Sequence, residues 1–182
     1  GFEADKRDIV VRDMKSGALR NLTEGFGETV NEFAFAPDER TIYFIAAQGV
    51  EQPVFRLRLG DGRIDKLVAD VNASGLAVTA DGNRLVFLAQ NVRLPAEVFR
   101  FEPALNRLLQ LTRYNQNLLR DVEMNPAETF RFRGANGDMV EGLLVKPPFF
   151  DPTRKYPLLF LVHGGPQGAF GFGRSRPISH TA

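Results

Sequence analysis

The sequence of 182 residues contains no cysteine and no tryptophan, and only two histidines and three methionines. Without cysteine there is no disulfide framework and no thiolate chemistry. The redox compartment stays open, because proteins of either compartment can lack cysteine. Neither sign of charge prevails: 23 basic and 22 acidic residues give a net charge of +1. No basic run points to nucleic acid, and no apolar run approaches the length of a membrane span. The start, Gly1-Phe2-Glu3-Ala4-Asp5, lacks the basic head and apolar centre of a signal peptide. That says nothing about export of a longer parent. Hydrophobic residues make up 43% of the chain, enough for a packed core, and sixteen are phenylalanine. This bias implies no cofactor, and no metal-binding set stands out. The length suits one domain and a piece of another.

A repeat is the first positive feature. Phe33-Ala34-Phe35-Ala36-Pro37-Asp38 lines up with Leu76-Ala77-Val78-Thr79-Ala80-Asp81, and Thr41–Ala46 with Arg84–Ala89, both at an offset of 43. Leu22-Thr23, Leu67-Val68 and Leu111-Thr112 follow in phase at offsets of 45 and 44. Short strands recurring every 40–45 residues mark β-propeller blades. One unit reads as strands 33–36, 41–46, 54–59 and 64–68, with a Gly60-Asp61-Gly62 hairpin turn before the last. Residues 9–23 supply the last two strands of an earlier blade, so the chain holds about two and a half blades. A closed ring needs about four to eight. The expectation is that residues 1–122 are the C-terminal blades of a larger propeller, whose exposed edges invite self-association.

Asp38 and Asp81 sit in Pro-Asp and Asp-Gly turns, where Asp commonly accepts hydrogen bonds from its own backbone; a turn role is expected, not a ligand role. The alternating arginines Arg56, Arg58 and Arg100 are read as solvated faces. The phenylalanines are read as core between blades, since no basic groove accompanies them as base stacking would require.

After Tyr114-Asn115 the period stops. Residues 115–125 form a polar connection. Glu128–Arg133 and Met139–Lys146 then read as a strand pair around the turn cluster 134–138. Pro147-Pro148 and Asp151-Pro152 mark a loop. Next comes Lys155-Tyr156-Pro157, and the five apolar residues 158–162 run into His163-Gly164-Gly165-Pro166-Gln167-Gly168. A short apolar run closed by turn residues reads as a strand buried on both faces.

Hairpin, Tyr-Pro, apolar strand and HGGPQG turn, in this order after propeller blades, resemble the start of the peptidase domain in the prolyl oligopeptidase family. The branch concerned includes acylaminoacyl peptidases and dipeptidyl peptidase V-like enzymes. The resemblance covers residues 9–171 and is most specific over 128–168. It implies a mainly β fragment: a partial propeller followed by the first strands of an α/β-hydrolase domain over 123–171. It also implies hydrolysis of short peptides, no cofactor, and a periplasmic or secreted setting for the parent, with the cytoplasm still open. The HGG turn corresponds to an oxyanion-hole corner. Gly165 would donate its backbone N–H to the carbonyl oxygen, Gly164 would keep the approach clear, and His163 would shape the turn.

The nucleophile, acid and base are not expected in this chain. Its serines are Ser16, Ser74, Ser175 and Ser179. A hydrolase nucleophile occupies a G-x-S-x-G elbow between strand and helix. Gly173-Arg174-Ser175-Arg176-Pro177 comes nearest, but Pro177 replaces the second glycine. Ser175 also follows His163 by only 12 residues, too few for a crossover and a new strand. His180 beside Ser179 reads as part of a disordered end. Residues 172–182 are basic, lack the tryptophan frequent in relatives, and read as an atypical tail. The chain alone is therefore expected to be inactive. A non-catalytic propeller binding module accounts equally well for the repeat, but gives no use for 128–168.

Overall fold

The computed structural model describes residues 5–162 and 171. It is built from antiparallel strands. β1 (Val10–Arg12) and β2 (Leu19–Asn21) pair with each other, Val10 opposite Asn21 and Arg12 opposite Leu19. β3 (Val30–Phe35), β4 (Thr41–Ala46), β5 (Val54–Arg58) and β6 (Ile64–Val68) form a four-stranded meander. β7 (Asn72–Val78), β8 (Leu85–Gln90), β9 (Glu97–Glu102) and β10 (Arg107–Gln110) repeat it. A short helix, α1 (Gln116–Leu119), lies in the polar connection, which the sequence had offered only as a linker. β11 (Ala127–Arg133) and β12 (Met139–Val145) make a hairpin in continuous register, from Ala127 opposite Val145 to Arg133 opposite Met139. Two whole blades, half a blade and a separate hairpin are the fold expected, with β3 starting three residues earlier than its repeat suggested.

Why β4 is apolar throughout follows from its place in the stack. Ile42, Phe44 and Ala46 face the half-blade, packing with Ile9, Val30, Phe55 and Leu57. Tyr43 and Ile45 face the next sheet, against Ala73, Leu85, Phe87 and Phe101. Both faces are covered, so the strand does not alternate in polarity. In β8 only one face is covered: Leu85, Phe87 and Ala89 are buried while Leu88 is exposed. Phe26 and Phe55 meet edge to face at 5.0 Å, and Phe55 stacks on Phe44 at 5.2 Å. Each fully buried side chain of this size contributes roughly 1.5–3 kcal/mol.

The aspartate turns form as expected. Asp38 accepts from the amides of Arg40 and Thr41 at 2.9 and 3.1 Å. Asp81 accepts from the Asn83 amide at 3.1 Å and from the Thr79 hydroxyl. The first strands of the two sheets are joined at matching bulges: the Glu32 carboxylate accepts the Leu76 amide at 3.0 Å.

Three expectations are corrected. The arginines are paired with carboxylates rather than free in solvent, although Arg58 and its partner stay exposed. Arg56 donates to Asp65 at 2.7 Å, Arg58 pairs with Asp61 at 2.8 Å, and Arg100 and Arg107 both grip Glu102. Asp65 reaches Arg56 and Glu102 reaches Arg107 from the neighbouring strand, while Asp61 lies in the turn after β5 and Glu102 shares a strand with Arg100. Phe33 and Phe35 are not core, being 56% and 52% exposed. They lie opposite Phe44 and Ile42, on the face toward the half-blade, and two strands cover only the outer part of that face. Finally, residues 158–162 are not a buried strand. They belong to no strand, and Leu158, Leu159 and Phe160 are each more than three-quarters exposed. The apolar run records a need for neighbours on both sides, and no described residue supplies them.

Candidate functional site

The hairpin leads toward the HGG turn and is shaped by close ring packing. Phe130 stands opposite Gly142, and its ring occupies the space where a Cβ on Gly142 would sit. Phe130 and Phe132 stack at 6.0 Å on the same face. The turn needs left-handed backbone at Asn136 and Gly137, with φ of 58° and 83°, conformations that asparagine and glycine adopt most readily. Asn125 closes the open end of the hairpin, its amide donating to the Pro147 carbonyl at 2.6 Å.

Tyr156 then fixes the loop before the apolar run. Its hydroxyl accepts the Asp151 amide at 2.9 Å, and its ring packs on Phe150 at 5.2 Å. Lys146 lies over the other partner, Phe150, and also pairs with Glu128 at 2.7 Å. Asp151 is held below the usual carboxylate range, first by the Thr153 hydroxyl and then by the Thr153 amide. The Tyr-Pro pair thus has a physical role the sequence did not reveal. Tyr156 pins the loop, and Pro157 restricts the backbone that follows it.

His163, Gly164 and Gly165 lie outside the described residues, as do Ser175, Ser179, His180 and the rest of the tail 172–182. Gly171 is described. A Cβ there would meet the Val50 carbonyl at 2.8 Å and Asn72 Oδ1 at 3.3 Å, so its backbone passes hard against the β4–β5 loop and the start of β7. This close approach requires glycine, and nothing in the sequence announced it. The same end of the blades is polar. Asn31 accepts from Arg7 at 2.5 Å and donates to Gln52 at 3.1 Å. Nearby, Asn91, Arg93 and Leu94 border a shallow cleft of about 380 Å³ with Leu119, Val122, Glu123 and Met124.

The remaining serines have structural places. Ser16 donates to Asp13 at 2.9 Å within a turn, and Ser74 lies in β7 opposite Leu88. Among the described residues, no three His, Cys, Asp or Glu side chains cluster as a metal site. No helix among them is long and apolar enough to cross a membrane.

No family model matches the chain. It is similar to dipeptidyl-peptidase 5 of Porphyromonas gingivalis, 26% identical over 170 residues, covering 92% of this chain and 24% of the relative. Dipeptidyl-peptidase 5 of Schizosaccharomyces pombe is 23% identical over 176 residues, covering 93% of this chain and again 24% of the relative. In fold it resembles the acylaminoacyl peptidase of Pyrococcus horikoshii, with a TM-score of 0.77 at 20% identity, over 94% of this chain and 26% of that one. The chain therefore spans about a quarter of the length of the relatives it matches. At this coverage the matches take in both the blades and the hairpin, and the chain resembles peptidases of the S9, or prolyl oligopeptidase, family.

Proposed function

We propose that the chain is the section of a serine exopeptidase in which a propeller, residues 1–122, passes into the peptidase domain, residues 123–171. The observation that carries this reading is the single match covering 92% of the chain, which includes both the blades and the hairpin β11–β12. A plain propeller binding module leaves that hairpin and the pinned loop behind it without a purpose.

Within this reading the apolar run 158–162 delivers the Gly164-Gly165 turn to the substrate. Attack on a peptide carbonyl puts negative charge on its oxygen. A backbone N–H fixed in advance stabilises that charge, and loss of one such donor costs about 10²–10³-fold in rate. Gly165 N–H is that donor, Gly164 leaves the approach open, and His163 shapes the turn. The second donor, the serine, the aspartate and the base come from sequence beyond residue 182. The substrates are short peptides admitted past the propeller. Release of N-terminal dipeptides is the favoured mode, because several relatives are named dipeptidyl-peptidase 5; acylaminoacyl release is the neighbouring one.

A fluorophosphonate probe for activated serines tests the assignment. The 182-residue chain should remain unlabelled, while the product of the full gene should label and release dipeptides. In that product, Gly165→Pro deletes the N–H and should lower kcat by about 10²–10³-fold. Labelling of the chain itself, or a gene whose downstream sequence lacks a G-x-S-x-G elbow followed by Asp and His, would sink the proposal.

A further inference from the structure

One buried carboxylate has no part in the peptidase reading. Glu97 opens β9 and is 1% exposed. Among the described residues no lysine or arginine pairs with it, and neutral donors surround it instead. The Thr112 hydroxyl donates at 2.5 Å, and the Asn115 amide and its side-chain NH₂ both donate at 3.0 Å. Thr112 Oγ1 in turn accepts the Val98 amide at 2.8 Å.

The half-blade carries the same device. Asp8 accepts from Thr23 Oγ1 at 2.9 Å, and Thr23 Oγ1 accepts the Ile9 amide at 3.0 Å. The equivalent positions of the middle blade are Pro53 and Val68, both buried and apolar. There the chain passes straight to the next sheet, held by backbone bonds from Gln52 N to Val71 O at 3.0 Å and from Ala73 N to Gln52 O at 3.1 Å. In the half-blade the remaining donors to Asp8 are local, from Asn21 and Lys6. Only in the last blade, among those described, do they reach past the sheet: Asn115 lies beyond β10, at the start of the connection to the hairpin. The far end of that connection is held too, by Asn125 on the Pro147 carbonyl.

We infer that Glu97 is the positioning residue for the segment joining the propeller to the hairpin, a blade staple extended by Asn115 so that the connection leaves in one fixed direction. A buried carboxylate gains most from donors fixed around it, and an unmet one is costly, so the connection cannot swing away without exposing Glu97 to loss of its partners. This inference does not depend on the peptidase assignment.

Hydrogen–deuterium exchange resolved by segment tests it on the chain as it stands. Glu97→Gln should speed exchange of the amides in 112–119 by at least about tenfold, with β4 and β8 unchanged within about twofold. Asn115→Ala keeps the Thr112 contact and should give a smaller rise, about threefold, in the same segment. Asp8→Asn should speed exchange near residues 21–24 and leave 112–119 alone. If Glu97→Gln does not fold, Asn115→Ala decides the matter. No rise in 112–119, or a uniform rise throughout β7–β10, would overturn the inference, since a merely structural carboxylate would loosen the whole blade.

Discussion

The two complete blades and the segment after residue 126 are both rich in apolar side chains, yet they bury them to opposite degrees. Ile42, Phe44, Leu85 and Phe87 are essentially inaccessible, whereas Phe130 and Phe132 are nearly half exposed and Leu158 and Phe160 more than three-quarters. Local strand-forming character is the same in both regions. The difference is stacking: each blade lies against another sheet, while the hairpin and the run 158–162 present faces that nothing among the described residues covers. Apolar pattern specifies which face seeks cover, and the neighbours decide whether it finds any.

Mutation should expose that contrast most sharply at the covered sites. Phe44→Ala should destabilise the chain by about 3–5 kcal/mol in chemical denaturation, through lost burial and the cavity left behind. Phe160→Ala should change stability by less than about 0.5 kcal/mol. A large effect at Phe160 would mean that the second region is packed after all. The uncovered faces should also drive association. At concentrations on the order of tens of micromolar, sedimentation should find species heavier than the 20.3 kDa monomer. A monodisperse monomer would remove the contrast.

Acid should act on the blades. The Thr112 hydroxyl and Asn115 amide hold Glu97 at about 2, and the Thr79 hydroxyl and Asn83 amide do the same for Asp81. Both values lie below those of an unfolded carboxylate, so the ionised forms favour the folded state. That contribution is complete above about pH 4.5 and fades as pH falls toward 2. Denaturation midpoints should therefore drop over that interval, and Glu97→Gln should flatten the dependence. A small effect is also expected at the surface pair Arg58–Asp61, 2.8 Å apart and exposed. Arg58→Ala should cost less than about 1 kcal/mol, which separates surface pairing from blade stacking.

Much of the architecture was legible because propeller blades repeat. The 43-residue offset placed β4 and β8, and the Pro-Asp and Asp-Gly turns located Asp38 and Asp81 correctly. The Gly-rich cluster 134–138 marked the hairpin turn. Phe33 and Phe35 were misread because a repeat states which residues are equivalent, not whether the adjoining blade is whole. Residues 158–162 were misread for the same reason, as a strand is buried only by what lies beside it. The phase of Leu22-Thr23 and Leu111-Thr112 was visible, and it hinted at the staple. That Asp8 and Glu97 lie against those threonines could not be read, since the partners are 15 residues apart and meet only once the strands between them have paired.

By itself, the order of residues determined the strands, their turns and the blade period, because these rest on backbone preference and local alternation. It also carried the likeness to S9 peptidases. Tertiary structure alone decided which arginines meet carboxylates, why Gly142 and Gly171 must lack side chains, and how Glu97 reaches Asn115. Those outcomes depend on distances between segments far apart in the chain, and such distances exist only once sheets have stacked.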